Sequence, residues 1–241
     1  MGAVVRAVRR ALPGVRVVVV ENGSRDDTAA VAANAGAEVI HSAEGYAVAT
    51  HVGFRYAVAQ GAQWVATIDA DGQHPPEQLP ALLLALRDAD LVVGSRFLSP
   101  TGYRVPTVRR AANSALGAWA SWLSGQRLSD VTSGMRAMRR GVLEEFAREY
   151  PNDVADANVL VRAIRLGWRV VEVPVAMRPR SGGRSQHDSP FSAWFAVRMA
   201  VYSACEAAHV GSRSYGLAGS AQFPPITPES HAPIPSHATF R

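Results

Sequence analysis

The chain contains no lysine. All 25 of its basic residues are arginine, set against 20 acidic residues, which leaves a formal charge of +5 over 241 residues. Arginine forks grip phosphate oxygens two at a time, so this balance suits an anionic ligand or lipid headgroups. The charge is scattered rather than blocked and no nucleic-acid motif accompanies it, so nucleic acid is not an expected partner. Cysteine is nearly absent too. The single Cys205 excludes an intrachain disulfide and any multi-cysteine metal site, and its surroundings, Val201-Tyr202-Ser203-Ala204-Cys205, suit a small packed residue better than a nucleophile. Long apolar runs are also missing. Arg6, Arg9 and Arg10 interrupt the first turns before the core of a signal peptide develops. Arg198, Glu206 and His209 break the apolar stretch 191–210 well short of the ~18 residues that a spanning helix needs. The cytoplasm is the expected compartment, with the cytoplasmic face of a membrane as the expected place of any peripheral attachment.

What is present is a globular pattern, 48% hydrophobic and 19% charged. Apolar runs at 15–20, 37–40, 64–68, 90–96 and 168–175 read as strands, and they alternate with helical segments at 3–12, 29–35, 46–60, 79–86, 108–123, 141–148 and 155–166. That rhythm predicts an α/β fold with βαβ units and a mainly parallel sheet flanked by helices. The stripe of apolar residues in 108–123, including Trp119 and Trp122, is expected to pack inward. Residues 186–211 are expected to form an amphipathic helix that either packs on the domain or lies on a membrane surface. The aromatic cluster Phe191, Trp194 and Phe195 beside a basic loop favours the membrane. Residues 212–241, rich in Pro, Ser, Gly and His, are expected to be disordered. The expected domain is therefore 1–185.

Asp69-Ala70-Asp71-Gly72-Gln73 follows directly on the strand 64–68. In an open α/β sheet the carboxyl ends of strands border the ligand crevice. Residues two apart in an extended segment point the same way, so Asp69 and Asp71 can aim two carboxylates at one hard divalent cation, Mg²⁺ or Mn²⁺. Asp-Ala-Asp-Gly also fits a plain turn, and in isolation it does not decide between the two. Elsewhere, 178–185 (Arg178-Pro179-Arg180-Ser181-Gly182-Gly183-Arg184-Ser185) is too basic and glycine-rich for a core element and reads as a mobile anion-binding loop.

Five motifs appear in one order: Glu21-Asn22-Gly23-Ser24-Arg25-Asp26, the Asp69 to Gln73 segment, Val93-Gly94-Ser95-Arg96, Asp130-Val131-Thr132-Ser133-Gly134-Met135-Arg136, and the loop 178–185. Together, over about 15–185, they resemble the family 2 glycosyltransferases of the GT-A fold, most nearly the polyprenyl-phosphate sugar transferases. The resemblance implies an inverting, metal-dependent hexosyltransferase. It would move a sugar from a nucleotide-sugar donor to a polyprenyl phosphate at a membrane surface, with a separate membrane protein as a further partner. It implies Asp71, Asp69 and Gln73 around the metal, and Glu21, Asn22, Gly23 and Ser24 near the nucleotide. Arg96 and Arg136 would contact donor or acceptor phosphate, although surface salt bridging would also explain them. Arg178, Arg180, Arg184 and Ser185 would clamp the acceptor phosphate. A hydroxyl acceptor, as in cell-envelope polysaccharide synthesis, would instead need a carboxylate base, for which Asp130 comes first and Asp156 second. A non-catalytic nucleotide-sugar-binding protein is the remaining alternative.

Two departures from the family pattern stand out. The family normally opens with an apolar strand and a Pro-x-Tyr-Asn-Glu-like turn in the middle of the sheet, whereas this sequence starts within the following helix. The expectation is a gap in the sheet with unpaired backbone groups and an incomplete base pocket, filled only if another segment enters. The loop Ser42-Ala43-Glu44-Gly45-Tyr46 carries an acid where relatives carry a basic residue, leaving only backbone N–H groups for phosphate there.

Overall fold

The structure, a computed structural model, describes residues 1–24, 26–98, 107–178, 191–213 and 238–240. The elements run α1 (Gly2–Ala11), β1 (Arg16–Glu21), α2 (Thr28–Asn34), β2 (Glu38–His41), α3 (Tyr46–Ala59), β3 (Trp64–Thr67), a 3₁₀ turn (Pro76–Gln78), α4 (Leu79–Ala85) and β4 (Leu91–Ser95). They continue with α5 (Thr107–Ser124), β5 (Arg136–Arg139), α6 (Arg140–Arg148), α7 (Ala157–Arg165), β6 (Val170–Pro174), α8 (Phe191–Arg213) and β7 (Ala238–Phe240).

The strands form one sheet in the order β2-β1-β7-β3-β5-β4-β6, parallel except at β5, which runs antiparallel to both β3 and β4. Side chains alternate across a strand, so each run of apolar residues feeds two cores. In β1, Val17 and Val19 join α1, α2 and α4 on one face, while Val18 joins α3 on the other. β4 divides the same way, with Val92 against the first core and Leu91 and Val93 in the second. The second core is the larger, because α3, α5, α6, α7 and α8 all pack there. Its centre is an aromatic cluster in which Tyr150 meets Phe54 edge-on at 5.2 Å and Phe146 at 5.5 Å.

α7 is buried from Ala157 to Ala163, and that includes Arg162 at 1% exposure. A buried cation needs compensation. Arg162 finds it in Glu145 (2.7 Å), Glu149 (2.8 Å) and Glu206 (3.2 Å), which tie α6, α7 and α8 together.

Three expectations change. Residues 136–139, read as the end of a polar turn and a linker, form β5; the guanidinium of Arg139 is satisfied by the carbonyls of Leu86, Arg87 and Ala89 at the strand's far end. The gap expected between β1 and β3 is occupied over three residues by β7, whose backbone pairs with Arg16–Val18 and Val65–Thr67. These β7 residues fall within the stretch 212–241 expected to be disordered; the remainder of that stretch beyond Arg213 lies outside the described residues. Finally, Trp119 and Trp122 do not join the inward stripe of α5. Leu116 and Ala120 occupy it, and the two indoles face outward, Trp122 at 72% exposure.

Candidate active site

The exits of β1, β3, β4 and β6 lie at one edge of the sheet, and β5, running the other way, brings its entry to the same edge. A cleft opens between the ends of β1 and β3. Val20, Asn22 and Ser24 line one side, and Thr67, Asp69 and Gly134 the other. Glu21 does not reach toward this cleft. Its carboxylate accepts the Ser24 N–H and lies 3.2 Å from His41 Nδ1; the Ser24 bond first, and then His41, hold its pKa below the usual carboxylate range. The turn depends on Gly23, whose φ of +95° belongs to the left-handed region.

Asp69 leaves β3 against the backbone of Gly134. A Cβ at position 134 would stand 2.6 Å from one Asp69 oxygen and 2.8 Å from the other, so glycine makes the room for this carboxylate. The Gly134 carbonyl accepts the Thr67 hydroxyl at 2.8 Å, which fixes that approach. His74, 3% exposed, places Nδ1 3.4 Å from Asp69 Oδ2. Asp71 accepts the Gln73 N–H at 2.9 Å, a local turn that aims the carboxylate, and Gln73 itself is buried.

Arg96 and Asp130 form a buried pair. Asp130 has no exposed surface, and its two oxygens accept Arg96 Nε (2.6 Å), Nη2 (2.5 Å) and the Arg96 backbone N–H (2.9 Å). Burial opposes the charge of Arg96, but the hydrogen bonds and charge of Asp130 leave its pKa raised. Arg96 Nη2 also donates to Thr132, Thr132 to Asn113, and Asn113 to the Ser129 carbonyl. Glu172 closes the network by accepting the Ser129 and Asp130 N–H groups at 2.8 and 2.7 Å. Asp130 is thus the counter-ion that orients Arg96; with both oxygens engaged and no exposed surface it does not face a substrate as a base. These contacts weigh against the base role expected for it with a hydroxyl acceptor.

Arg136, at the start of β5, donates to the carbonyls of Ser133 (2.9 Å) and Asp156 (3.3 Å), with its Nη2 3.8 Å from the Asp156 carboxylate. Burial pushes the Asp156 carboxyl up to about 6, against the pull of Arg136 and with the repulsion of Asp69 added. Arg178 donates its backbone N–H to the Gln73 carbonyl at 2.9 Å, which brings the start of the basic loop to the aspartate motif, while its side chain pairs with Glu77 at 3.2 Å. Arg180, Arg184 and Ser185 lie outside the described residues. Sequence reading missed Thr132, Asn113, Glu172, His74 and the spacing role of Gly134. The one available signal for Glu172 is a lone acid inside the apolar run of β6.

The model of glycosyl transferase family 2 matches residues 2–147, from α1 through most of α6. The chain belongs to glycosyl transferase family 2. Among its relatives in that family, the undecaprenyl-phosphate mannosyltransferase of Micrococcus luteus is 37% identical over 74% of this chain and 78% of its own length. The dolichyl-phosphate hexose transferase of Haloferax volcanii is 32% identical over 85% and 88%, and the polyprenol monophosphomannose synthase of Mycolicibacterium smegmatis 34% identical over 76% and 74%. Among solved structures, a mycobacterial protein superposes with a TM-score of 0.62 at 21% identity, covering 87% of this chain and 69% of its own. Glucosyl-3-phosphoglycerate synthase of Mycobacterium tuberculosis, crystallised with Mn²⁺ and uridine diphosphate, gives a TM-score of 0.54 at 15% identity over 86% and 84%. These likenesses carry the fold, which is GT-A. In this family 2 chain, Asp69, Asp71, Arg96, Asp130, Gly134 and Arg136 all fall inside the matched region.

Proposed function

We propose that this chain transfers a hexose from a nucleotide sugar to a polyprenyl phosphate, inverting the anomeric centre in a single displacement. The observation that carries the reading is the seating of Asp69 against Gly134 at the mouth of the β1–β3 cleft, in a chain whose similar relatives are named for transfer to undecaprenyl, dolichyl and polyprenyl phosphates.

The residues fit a divalent cation. Asp69, Asp71, Asp130 and Asp156 stand against Arg96 and Arg136, so the site carries surplus negative charge, and Asp156 registers the repulsion. No group of three or more His, Cys, Asp or Glu among the described residues encloses an ion. Asp69 and Asp71 would therefore hold Mg²⁺ or Mn²⁺ through only part of its shell and leave the rest to phosphate oxygens and water, as hard cations accept. Such an ion would supply charge stabilisation to the departing diphosphate.

The chain's own residues do the remaining work. Asn22 and Ser24 face the donor's nucleotide end of the cleft. Arg136, fixed by two carbonyls, and Arg96, fixed by Asp130 and Thr132, present positive charge to phosphate without reorganising. A lipid phosphate is already an anion and attacks the anomeric carbon without losing a proton, so no general base is required. That agrees with the engagement of Asp130 and weighs against a hydroxyl acceptor. The loop from Arg178 to Ser185 is assigned to the acceptor phosphate.

The test is incorporation of label from a panel of nucleotide sugars into polyprenyl phosphate, with Mg²⁺ or Mn²⁺, by the parent chain and by Asp71→Ala. Metal-dependent lipid label lost in Asp71→Ala is the expected result. Donor binding with no transfer under any condition would instead establish a binding protein.

A further inference from the structure

The outer faces of α5 and α8 are joined and carry no acid. Trp119 donates its indole N–H to the Ala200 carbonyl at 3.0 Å, which locks the two helices together. Its ring lies 5.2 Å from that of Trp122. Across the joint, α8 exposes Trp194, Val197, Val201 and Tyr202 at 60, 54, 56 and 39%. Three of the chain's five tryptophans are thus exposed on these two joined helices. Glu206 of α8 turns inward to Arg162, while Arg198 lies over the Tyr202 ring, 5.9 Å from its centre, and pairs with the exposed Asp153 at the edge of the face. Arg110 and Arg127, near the two ends of α5, are exposed.

We propose that this face, built by Trp119 and Trp122 of α5 with Trp194, Val197, Val201 and Tyr202 of α8, docks the protein on the surface of a lipid bilayer. Tryptophan and tyrosine favour the headgroup region, where an apolar ring and a polar N–H or O–H are both accommodated, and flanking arginines suit anionic headgroups. No helix among the described residues is long and apolar enough to cross the membrane, so the contact is interfacial. The inner sides of the same helices touch the site: Asn113 of α5 belongs to the Arg96 network, and Arg198 of α8 grips Asp153 in the loop that leads to Asp156. A bilayer on the outer face would bring a membrane-held acceptor to the phosphate-facing residues. The inference rests on the proposed lipid acceptor for its purpose, though not for its geometry.

The test uses the full chain and vesicles of neutral phosphatidylcholine, with and without phosphatidylglycerol and with no polyprenyl phosphate. The parent chain is expected to float with the vesicles, more strongly with the anionic lipid, and brominated lipids are expected to quench its tryptophan emission. Trp122→Ser/Trp194→Ser removes two exposed rings that make no core contact and should lower vesicle partitioning about tenfold or more, since interfacial binding scales with the apolar area inserted. The variant should keep its melting temperature and its transfer to a short, water-soluble prenyl phosphate, while losing transfer to long-chain acceptor in vesicles. Parent chain that stays in the soluble fraction, or flotation unchanged by the double substitution, would overturn the proposal. So would concentration-dependent dimerisation that the substitution abolishes, because the face would then be covered by a second copy. Vesicle binding without transfer to either acceptor would leave the docking face standing and refute the proposed function instead.

Discussion

Replacing Gly134 by alanine probes how tightly the position of Asp69 is specified. The new Cβ would lie 2.6 and 2.8 Å from the carboxylate oxygens and 2.9 Å from the carboxylate carbon, whereas ordinary contact begins at 3.4 Å. The carboxylate must therefore retreat by roughly 0.8 Å, because the Gly134 backbone is tied to Thr67 and cannot easily give way. Position 134 is outside the left-handed region, so alanine adds no backbone strain of its own. The Asp69 side chain is 26% exposed and has solvent to swing into, which keeps the folding cost near about 1 kcal/mol. A displacement approaching 1 Å in a positioned group lowers the rate by on the order of 10- to 100-fold, or ~1.4 to 2.7 kcal/mol of transition-state stabilisation. The assay is kcat/KM for sugar transfer, read beside the urea midpoint and the metal concentration for half-maximal rate. Transfer within twofold of the parent, at unchanged stability, would refute the reasoning that Asp69 is held in a required position.

Other expectations follow from the same network. Asp130→Asn leaves the buried Arg96 charge without its counter-ion, so it should destabilise the fold by about 3 kcal/mol or more in urea unfolding; a folded, fully stable and inactive variant would restore the base role. Glu172→Gln keeps the shape but weakens the two backbone N–H bonds of the 129–130 turn, and should cost about 1 to 2 kcal/mol with a fall in kcat, measured by urea midpoint and initial rate. Asp156 has a folded pKa near 6 against an ordinary 3.8. Between those values the native state holds a proton that the unfolded chain has released, so this group makes stability fall as pH rises through that window. Asp156→Asn should flatten the fall and gain on the order of 1 to 3 kcal/mol at pH 7 in metal-free buffer, and an unchanged pH profile of the urea midpoint would count against a raised carboxyl at this half-buried position.

Much of the architecture was legible because hydrophobic periodicity and turn chemistry agree. β1, β3 and β4 are short apolar runs ended by Glu21-Asn22-Gly23, Asp69-Ala70-Asp71 and Ser95-Arg96, and the first two exits line the cleft at the sheet edge where an α/β fold places ligands. β5 was illegible because Arg-Ala-Met-Arg has too few apolar residues to signal a strand; its arginines are satisfied by carbonyls, Arg136 by neighbouring Ser133 and by Asp156, and Arg139 by the segment 86–89 some fifty residues away. β7 was hidden in a polar tail, since Ala-Thr-Phe becomes a strand only in a slot offered by β1 and β3. The partners of Asp130 and Asp69 were equally out of reach. Glu172 lies 42 residues from Asp130, and the role of Gly134 is a distance to a side chain 65 residues earlier, neither of which leaves a mark on local pattern. The outward turn of Trp119 and Trp122 shows the limit of an apolar stripe as a guide. Periodicity finds the helix, but the neighbouring helix decides which residues its inner face can hold.

The most direct measurement compares two acceptors that differ only at their end, a polyprenyl phosphate and the corresponding polyprenol, with the active nucleotide sugar and Mn²⁺ or Mg²⁺. The account expects sugar on the phosphate alone, without a base, and at a rate that collapses in Asp71→Ala. Comparable transfer to the free alcohol would contradict it, because a hydroxyl acceptor needs a general base and both oxygens of Asp130, the first carboxylate in line for that role, are engaged by Arg96.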